Sequence, residues 1–312
     1  MTDRPAADAP LLIHVGYHKT GTTWLQRVLF QPAYGWNPIM SHEEVFDLIV
    51  RPLGLTFDPQ PVRDLIARRR GQGAPGSADV ISSEILVGNP MYGGREGDDY
   101  ARRLKAIAPN ARILITIREQ MRSLTSIYMQ YLSRGGSMKP DRFFADEPVI
   151  GYYAFGPEHL DYHRLVGLYA ELFGLENVHV ATQERLAKDP LGLIRDLASF
   201  ADVTATGDLD GISTDPVTPS QQEFATPLIR FINHFRVGPT GLDPMFDLGG
   251  LSRLAYQGVG RLGRQAPLKA LFGKAQPVSK VVARRFAGRY RESNRALKAL
   301  MGDRVDLSRY ES

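Results

Sequence analysis

Nine consecutive residues, Gly16-Tyr17-His18-Lys19-Thr20-Gly21-Thr22-Thr23-Trp24, carry the densest chemistry in the chain. They follow a short apolar run and precede a helical pattern, so their two glycines predict a tight strand-to-helix turn. Such a turn gathers backbone N–H groups and the positive end of a helix dipole on one point, and so cradles an anion. A nucleoside-triphosphate loop would read G-x-x-x-x-G-K-[ST]. Gly16 and Gly21 keep that spacing, but Thr22 stands where the lysine belongs and Lys19 lies inside the turn. A lysine there can reach a bridging oxygen and stabilise charge developing on a leaving phosphate. Thr22 and Thr23 can donate to phosphate oxygens, and Trp24 offers a flat face for adenine. Two further readings stay open on these residues alone. One is a ligand-free junction with Trp24 in the core; the other is a triphosphate site, handicapped by the misplaced lysine.

The segment resembles the 5′-phosphosulfate-binding loop of the sulfotransferase family that uses PAPS (3′-phosphoadenosine 5′-phosphosulfate). That family pattern is roughly Pro-Lys-Ser/Thr-Gly-Thr-Thr-Trp. The chain keeps it from Lys19 to Trp24 and departs at His18, where proline is usual; the change alters turn stiffness rather than chemistry. The resemblance implies that Lys19, Thr20, Gly21, Thr22, Thr23 and Trp24 bind the cofactor and that Lys19 is also catalytic. Family members hold the 3′-phosphate with an Arg at a strand end and a Ser eight residues on; here Arg118 and Ser126 have that spacing, 99 residues after Lys19, with Ser123 an alternative hydroxyl. Chemically the pair suits the task, since Arg gives a bidentate fork and the hydroxyl a short donor. Val178 to Leu186 followed by Asp189-Pro190 is similar to a further family region, with Gln183 and Arg185 departing from it; we read this as a fold marker. Tyr290 to Tyr310, with Ser293-Asn294 and Asp306-Leu307, looks like the C-terminal helix and tail of bacterial members.

What the resemblance implies is sulfuryl transfer from PAPS to a hydroxyl or amine acceptor, with release of PAP (3′-phosphoadenosine 5′-phosphate). Attack on sulfur needs a base near the acceptor, His or Glu in this family. Glu84, at the end of a short apolar run 65 residues after Lys19, is the first candidate, because ligands of parallel sheets gather at the carboxyl ends of strands. The runner-up is His42-Glu43-Glu44, and a structural carboxylate is the plain alternative for either. His14 and His163 read as core or surface histidines. No metal constellation is found, and the transfer needs none. A P-loop kinase or NTPase, and a non-catalytic nucleotide- or membrane-binding protein on the same scaffold, are the rival functions.

Short β-branched runs alternating with longer helical patterns predict one α/β domain over 1–312, with a parallel sheet flanked by helices and a P-loop-like sulfotransferase fold. Strands are expected at Leu11–Val15, Val80–Ser82, Arg112–Ile117 and Val178–Ala181. A helix is expected from about Thr22 to Phe30. Another, Gln120–Ser133, places Leu124, Ile127, Tyr128 and Tyr131 on one face. A third runs to Phe200 from an Asp189-Pro190 start. Segments 70–79 and 204–220 read as loops, residues 1–10 as a disordered tail, 236–312 as a basic and mainly helical part, and Pro239 to Gly263 resists assignment.

The composition holds 43% hydrophobic and 23% charged residues and no cysteine. Disulfides, thiolate zinc sites and cysteine nucleophiles are thereby excluded, and a reducing compartment is permitted. The run Leu11–Val15 is too short for a signal sequence or a membrane span. A cytoplasmic protein is expected, with a peripheral position at the inner membrane face also allowed. Net charge is +4, yet residues 251–304 hold 13 Lys/Arg against 2 acidic residues. Either this is a solvated face, or it attracts an anionic membrane or an acidic substrate. Arg284, Arg291 and Arg295 would form one helical row, with Arg285 and Arg289 beside it and Val281, Val282 and Phe286 as anchors. Nucleic acid is disfavoured, because no groove-reading module is present. The acceptor stays open among carbohydrate, lipid head group and small alcohol or phenol.

Overall fold

The computed structural model describes residues 11–145, 155–204, 207, 209, 211–213, 222–237, 249–262 and 275–312. The expected tail at 1–10 and most of the loop at 204–220 lie outside the described residues. Among those described, β1 (Leu11–His14), β2 (Trp36–Met40), β3 (Ala78–Ser82), β4 (Arg112–Ile117) and β5 (Val178–Thr182) form one sheet in the order β2-β3-β1-β4-β5. Every pairing is parallel, with His14 opposite Ser82 on one side and Leu114 on the other. The expected parallel sheet flanked by helices is therefore present.

Side chains alternate across each strand, and both faces are buried. Leu11, Ile13, Ile113, Ile115, Val178 and Val180 point into one core, and Leu12, Val80, Leu114 and Ala181 into the other. On the first face pack α4 (Gly97–Ile107), α5 (Gln120–Ser133), α7 (Tyr162–Phe173), α12 (Pro277–Phe286) and α13 (Arg291–Met301). The second is covered by α1 (Thr22–Trp24) and α9 (Pro190–Phe200). Leu124, Ile127, Tyr128 and Tyr131 are buried as the helical period requires. The Asp189 carboxylate accepts from the Gly192 amide at 3.0 Å, capping α9.

Four expectations are corrected. The helix from Thr22 is one α-turn that widens into a π-helical turn, Leu25–Leu29, closed by Phe30 N–H donating to the Leu25 carbonyl at 2.7 Å. Strand β3 starts at Ala78, inside the segment read as loop, because the buried Asp79 is satisfied by Asn37 Nδ2 at 2.7 Å and the Gly71 amide at 3.1 Å. Part of the unassigned glycine-rich stretch is α11 (Gly250–Leu262). Finally, the C-terminal arginines do not share one helix. The chain turns at Gly288 (φ 75°) between α12 and α13, which separates Arg284 from Arg291 and Arg295. Arg284 pairs with Asp141, and Arg289 holds Asp161 bidentately at 2.9 and 3.0 Å.

Among the described residues no helix is long and apolar enough to cross a membrane. Ser293 and Asn294 are buried: Ser293 Oγ lies 2.9 Å from His163 Nδ1, and Asn294 takes a 2.6 Å bond from Gln120 at the start of α5.

Candidate functional site

The chain leaves β1 towards β2 on one side and β4 towards β5 on the other, so the carboxyl ends of β1 and β4 flank a crevice. The turn after β1 forms one wall. Gly16, Lys19 and Gly21 all take left-handed backbone angles (φ 94°, 63° and 95°). A Cβ on Gly16 would stand 2.8 Å from Glu84 Cα, so glycine is demanded by space as well as by angle. Among the described residues, no hydrogen bond engages the N–H groups of residues 18–21, which suits a nest for an anion. Lys19 is exposed at its rim. Loss of hydrating water, then the Arg118 charge, push its ammonium pKa below the usual lysine value; Glu84 pulls it upward and Arg134 adds to the lowering.

The other wall is the junction from β4 to α5. Arg118 Nη1 donates to Ser126 Oγ at 2.8 Å and to the Lys19 carbonyl at 3.4 Å, so residues 99 apart in sequence adjoin. Its Nε is buried without a partner. Ser123, the alternative hydroxyl, turns inward instead, within 3.2 Å of the Tyr162 hydroxyl. Together Lys19, Arg118, Arg122, Ser126, Gln130 and Ser279 contribute to the lining of a cleft of about 630 Å3. Among the described residues lining it the one carboxylate, Glu223, already accepts from the Val278 and Ser279 amides at 3.1 and 2.8 Å. The cleft is therefore cationic and faces no free acid among the described residues lining it.

The remaining loop residues are placed differently from one another. Thr20 Oγ1 is turned into the fold, and Thr22 Oγ1 lies 3.4 Å from the Tyr17 carbonyl. Thr23 is half-buried. Trp24 is 6% exposed in the second core, and its Nε1 donates to the Ser213 carbonyl at 2.7 Å, so the indole is a packed side chain.

Both candidate bases come to one place. Glu84 follows β3 directly beneath Gly16, and its Oε2 is buried without a partner. His42 Nδ1 lies 2.8 Å from Ser83 Oγ, one residue from Glu84. Glu44 is different: Arg69 binds both its oxygens at 2.8 Å and it caps Ser41, which together hold its pKa at about 2. Sequence reading noted His18 only as a departure from the family pattern and did not name His159 at all. His18 Nδ1 and His159 Nε2 are both buried without partners, and the His159 ring packs tilted against Tyr17, with centroids 4.9 Å apart. Burial, then the neighbouring His159, Arg134, His42 and Lys19 charges, lower the His18 pKa to about 3. No local pattern announces His159, since it reaches the loop from a distant turn.

No family model and no curated protein matches the chain. Among solved structures it is similar to a sulfotransferase from Alicyclobacillus acidocaldarius, at 21% identity over 87% of this chain and 98% of that one, with a TM-score of 0.46. It is also similar to the sulfotransferase domain from the curacin biosynthetic pathway, at 14% identity over 80% and 97%, with a TM-score of 0.36. At that level of likeness, the chemistry of the site must be derived from its own residues.

Chemically, the crevice offers two separate anion positions. One is the nest under Lys19, and the other is the Arg118–Ser126 pair. Glu84, whose Oε2 has no partner, lies against Gly16 of the same loop. Among the described residues no cluster of His, Asp and Glu could hold a metal ion.

Proposed function

We propose that this chain transfers the sulfuryl group of PAPS to a hydroxyl or amine, releasing PAP. The observation that carries the reading is the contact between the Lys19 turn and Arg118–Ser126: two cationic positions, one for each phosphate of a 3′,5′-bisphosphorylated nucleoside. The residues fit that ligand, because the loop amides and Arg118 Nε lack partners and could each take a phosphate oxygen. In the reaction the acceptor oxygen or nitrogen forms a bond to sulfur while the bond from sulfur to the bridging phosphate oxygen breaks. Lys19 donates to that departing oxygen, whose negative charge grows in the transition state. Glu84 takes the acceptor's proton on its unpartnered oxygen. Arg118 and Ser126 fix the nucleoside by its 3′-phosphate and so orient the reacting bond.

The test is transfer from sulfur-labelled PAPS to a panel of carbohydrates, lipid head groups and small alcohols or phenols. Lys19→Ala should lower transfer about 10²-fold or more, the scale of losing one transition-state donor, while leaving Tm nearly unchanged. Near-wild-type turnover in that variant, or phosphoryl transfer from ATP by the native chain, would overturn the proposal.

A further inference from the structure

A row of polar side chains runs beneath the loop, on a face where strands otherwise present aliphatic groups. Nearer the start of the strands Leu12, Val80 and Leu114 all lie in the second core, Leu12 opposite Val80 and Leu114 opposite His14. Two residues on, the same three strands present His14, Ser82 and Thr116. Three groups with hydrogen-bonding capacity are thus set at the carboxyl end of the sheet. His14 is wholly buried and Thr116 is 4% exposed, so each needs partners inside the protein.

Those partners form a single file. Ser82 Oγ lies 2.8 Å from His14 Nδ1, His14 Nε2 3.0 Å from Thr116 Oγ1, and Thr116 Oγ1 2.6 Å from Thr20 Oγ1; Thr20 Oγ1 lies 2.6 Å from the Tyr17 carbonyl. A carbonyl can only accept, so the one hydroxyl proton of Thr20 goes to Tyr17. Thr20 must then accept from Thr116, and Thr116 from His14 Nε2–H. The imidazole is left with a bare Nδ1, which accepts from Ser82. Each hydroxyl has one proton, and the file has one consistent direction. The backbone adds two clamps at Thr116: Tyr17 N–H donates to its carbonyl at 2.5 Å, and its own N–H donates to the Gly16 carbonyl at 2.7 Å.

Each end of this file adjoins a proposed site residue. Thr20 follows Lys19, Thr116 stands two residues before Arg118, and Ser82 two before Glu84. We infer that the Ser82–His14–Thr116–Thr20 file is a positioning device that holds the Lys19 turn open as an anion nest in register with Arg118 and Glu84. The inference rests on the proposed transfer for its consequence, though the device itself is a property of the fold. The members are positioning residues, since their polar atoms are engaged with one another and with the loop backbone.

His14→Ala would leave a cavity and could fail to fold, so Thr116→Val is the deciding variant. It keeps the shape of the side chain and removes the oxygen, stranding His14 Nε2–H and leaving Thr20 Oγ1 without its donor. Thr116→Ser keeps the oxygen. Hydrogen exchange of the residue 16–23 amides should be about tenfold faster in Thr116→Val, and PAP should bind about tenfold more weakly, the scale of one buried hydrogen bond. Thr116→Ser should stay close to wild type in both. A merely structural role would lower Tm and leave PAP affinity of the folded protein unmoved; that result, or equal damage from Thr116→Ser, overturns the inference. Should the wild-type chain itself fail to bind PAP, the transfer reading falls separately. The exchange rates then decide the device alone, and equal rates in wild type and Thr116→Val overturn it.

Discussion

Glu84 and Glu44 are both candidate glutamates, and their surroundings fit them for opposite tasks. Arg69 occupies both oxygens of Glu44 and, with the Ser41 amide, keeps its pKa at about 2, which makes it a poor proton acceptor. Glu84 has an oxygen with no partner. Glu84→Gln should therefore lower turnover by roughly 10²–10⁴ while PAP affinity holds. Steady-state rates with calorimetric PAP titration check this. An active Glu84→Gln alongside a dead His42→Ala would move the base to the imidazole beside Ser83. At this scale the tight turn at Gly16 and Gly21 was legible from residue type and spacing, because few residues accept its left-handed angles, and the pairing of Arg118 with Ser126 was an expectation drawn from the family resemblance. His14 and Thr116 were not legible: a lone His in an apolar strand reads as core until its cross-strand neighbours are known.

The elements were legible where one physical rule dominated. Strand β4 is a run of β-branched residues, α5 has a clean helical period, and α9 has both its cap and its first-turn proline. Strand β2 escaped because Asn37 and Pro38 are poor strand formers; the sheet edge tolerates a proline, and the register shifts there between Pro38 and Met40. The start of β3 was hidden by Asp79, a polar residue whose partners lie in other segments. The C-terminal arginines misled for a related reason. Seven-residue spacing puts Arg284 and Arg291 together only if the helix is continuous, and Gly288 breaks it. With Arg284 held by Asp141 and Arg289 by Asp161, part of that charge closes the fold.

Across the whole molecule, buried histidines set how stability responds to acid. Burial lowers His14 to a pKa of about 3 and His159 to about 4. In the unfolded chain both would titrate near the ordinary value of roughly 6.5. Between that value and about 4 the unfolded state binds protons that the folded state refuses, so stability rises with pH across this window. The stabilisation is complete above the unfolded value and is lost as pH falls, by about 1.4 kcal/mol per pH unit for each imidazole. With His18 and His179 lowered in the same way, thermal unfolding should give a level Tm from pH 7 to 8 and a steady fall from 6.5 to 4.5; a flat profile throughout would contradict this placement of the buried rings. Ligand choice is the other whole-molecule property, because it needs both walls of the crevice at once. The most direct measurement is calorimetric titration of wild type and Arg118→Ala with PAP, adenosine 5′-phosphosulfate and ATP. Wild type should prefer PAP, and Arg118→Ala should weaken PAP by about 2–3 kcal/mol, a charge-assisted contact, while barely changing adenosine 5′-phosphosulfate. Equal losses for both ligands, or ATP bound as tightly as PAP by the wild-type chain, would contradict a site built for a 3′-phosphorylated sulfuryl donor.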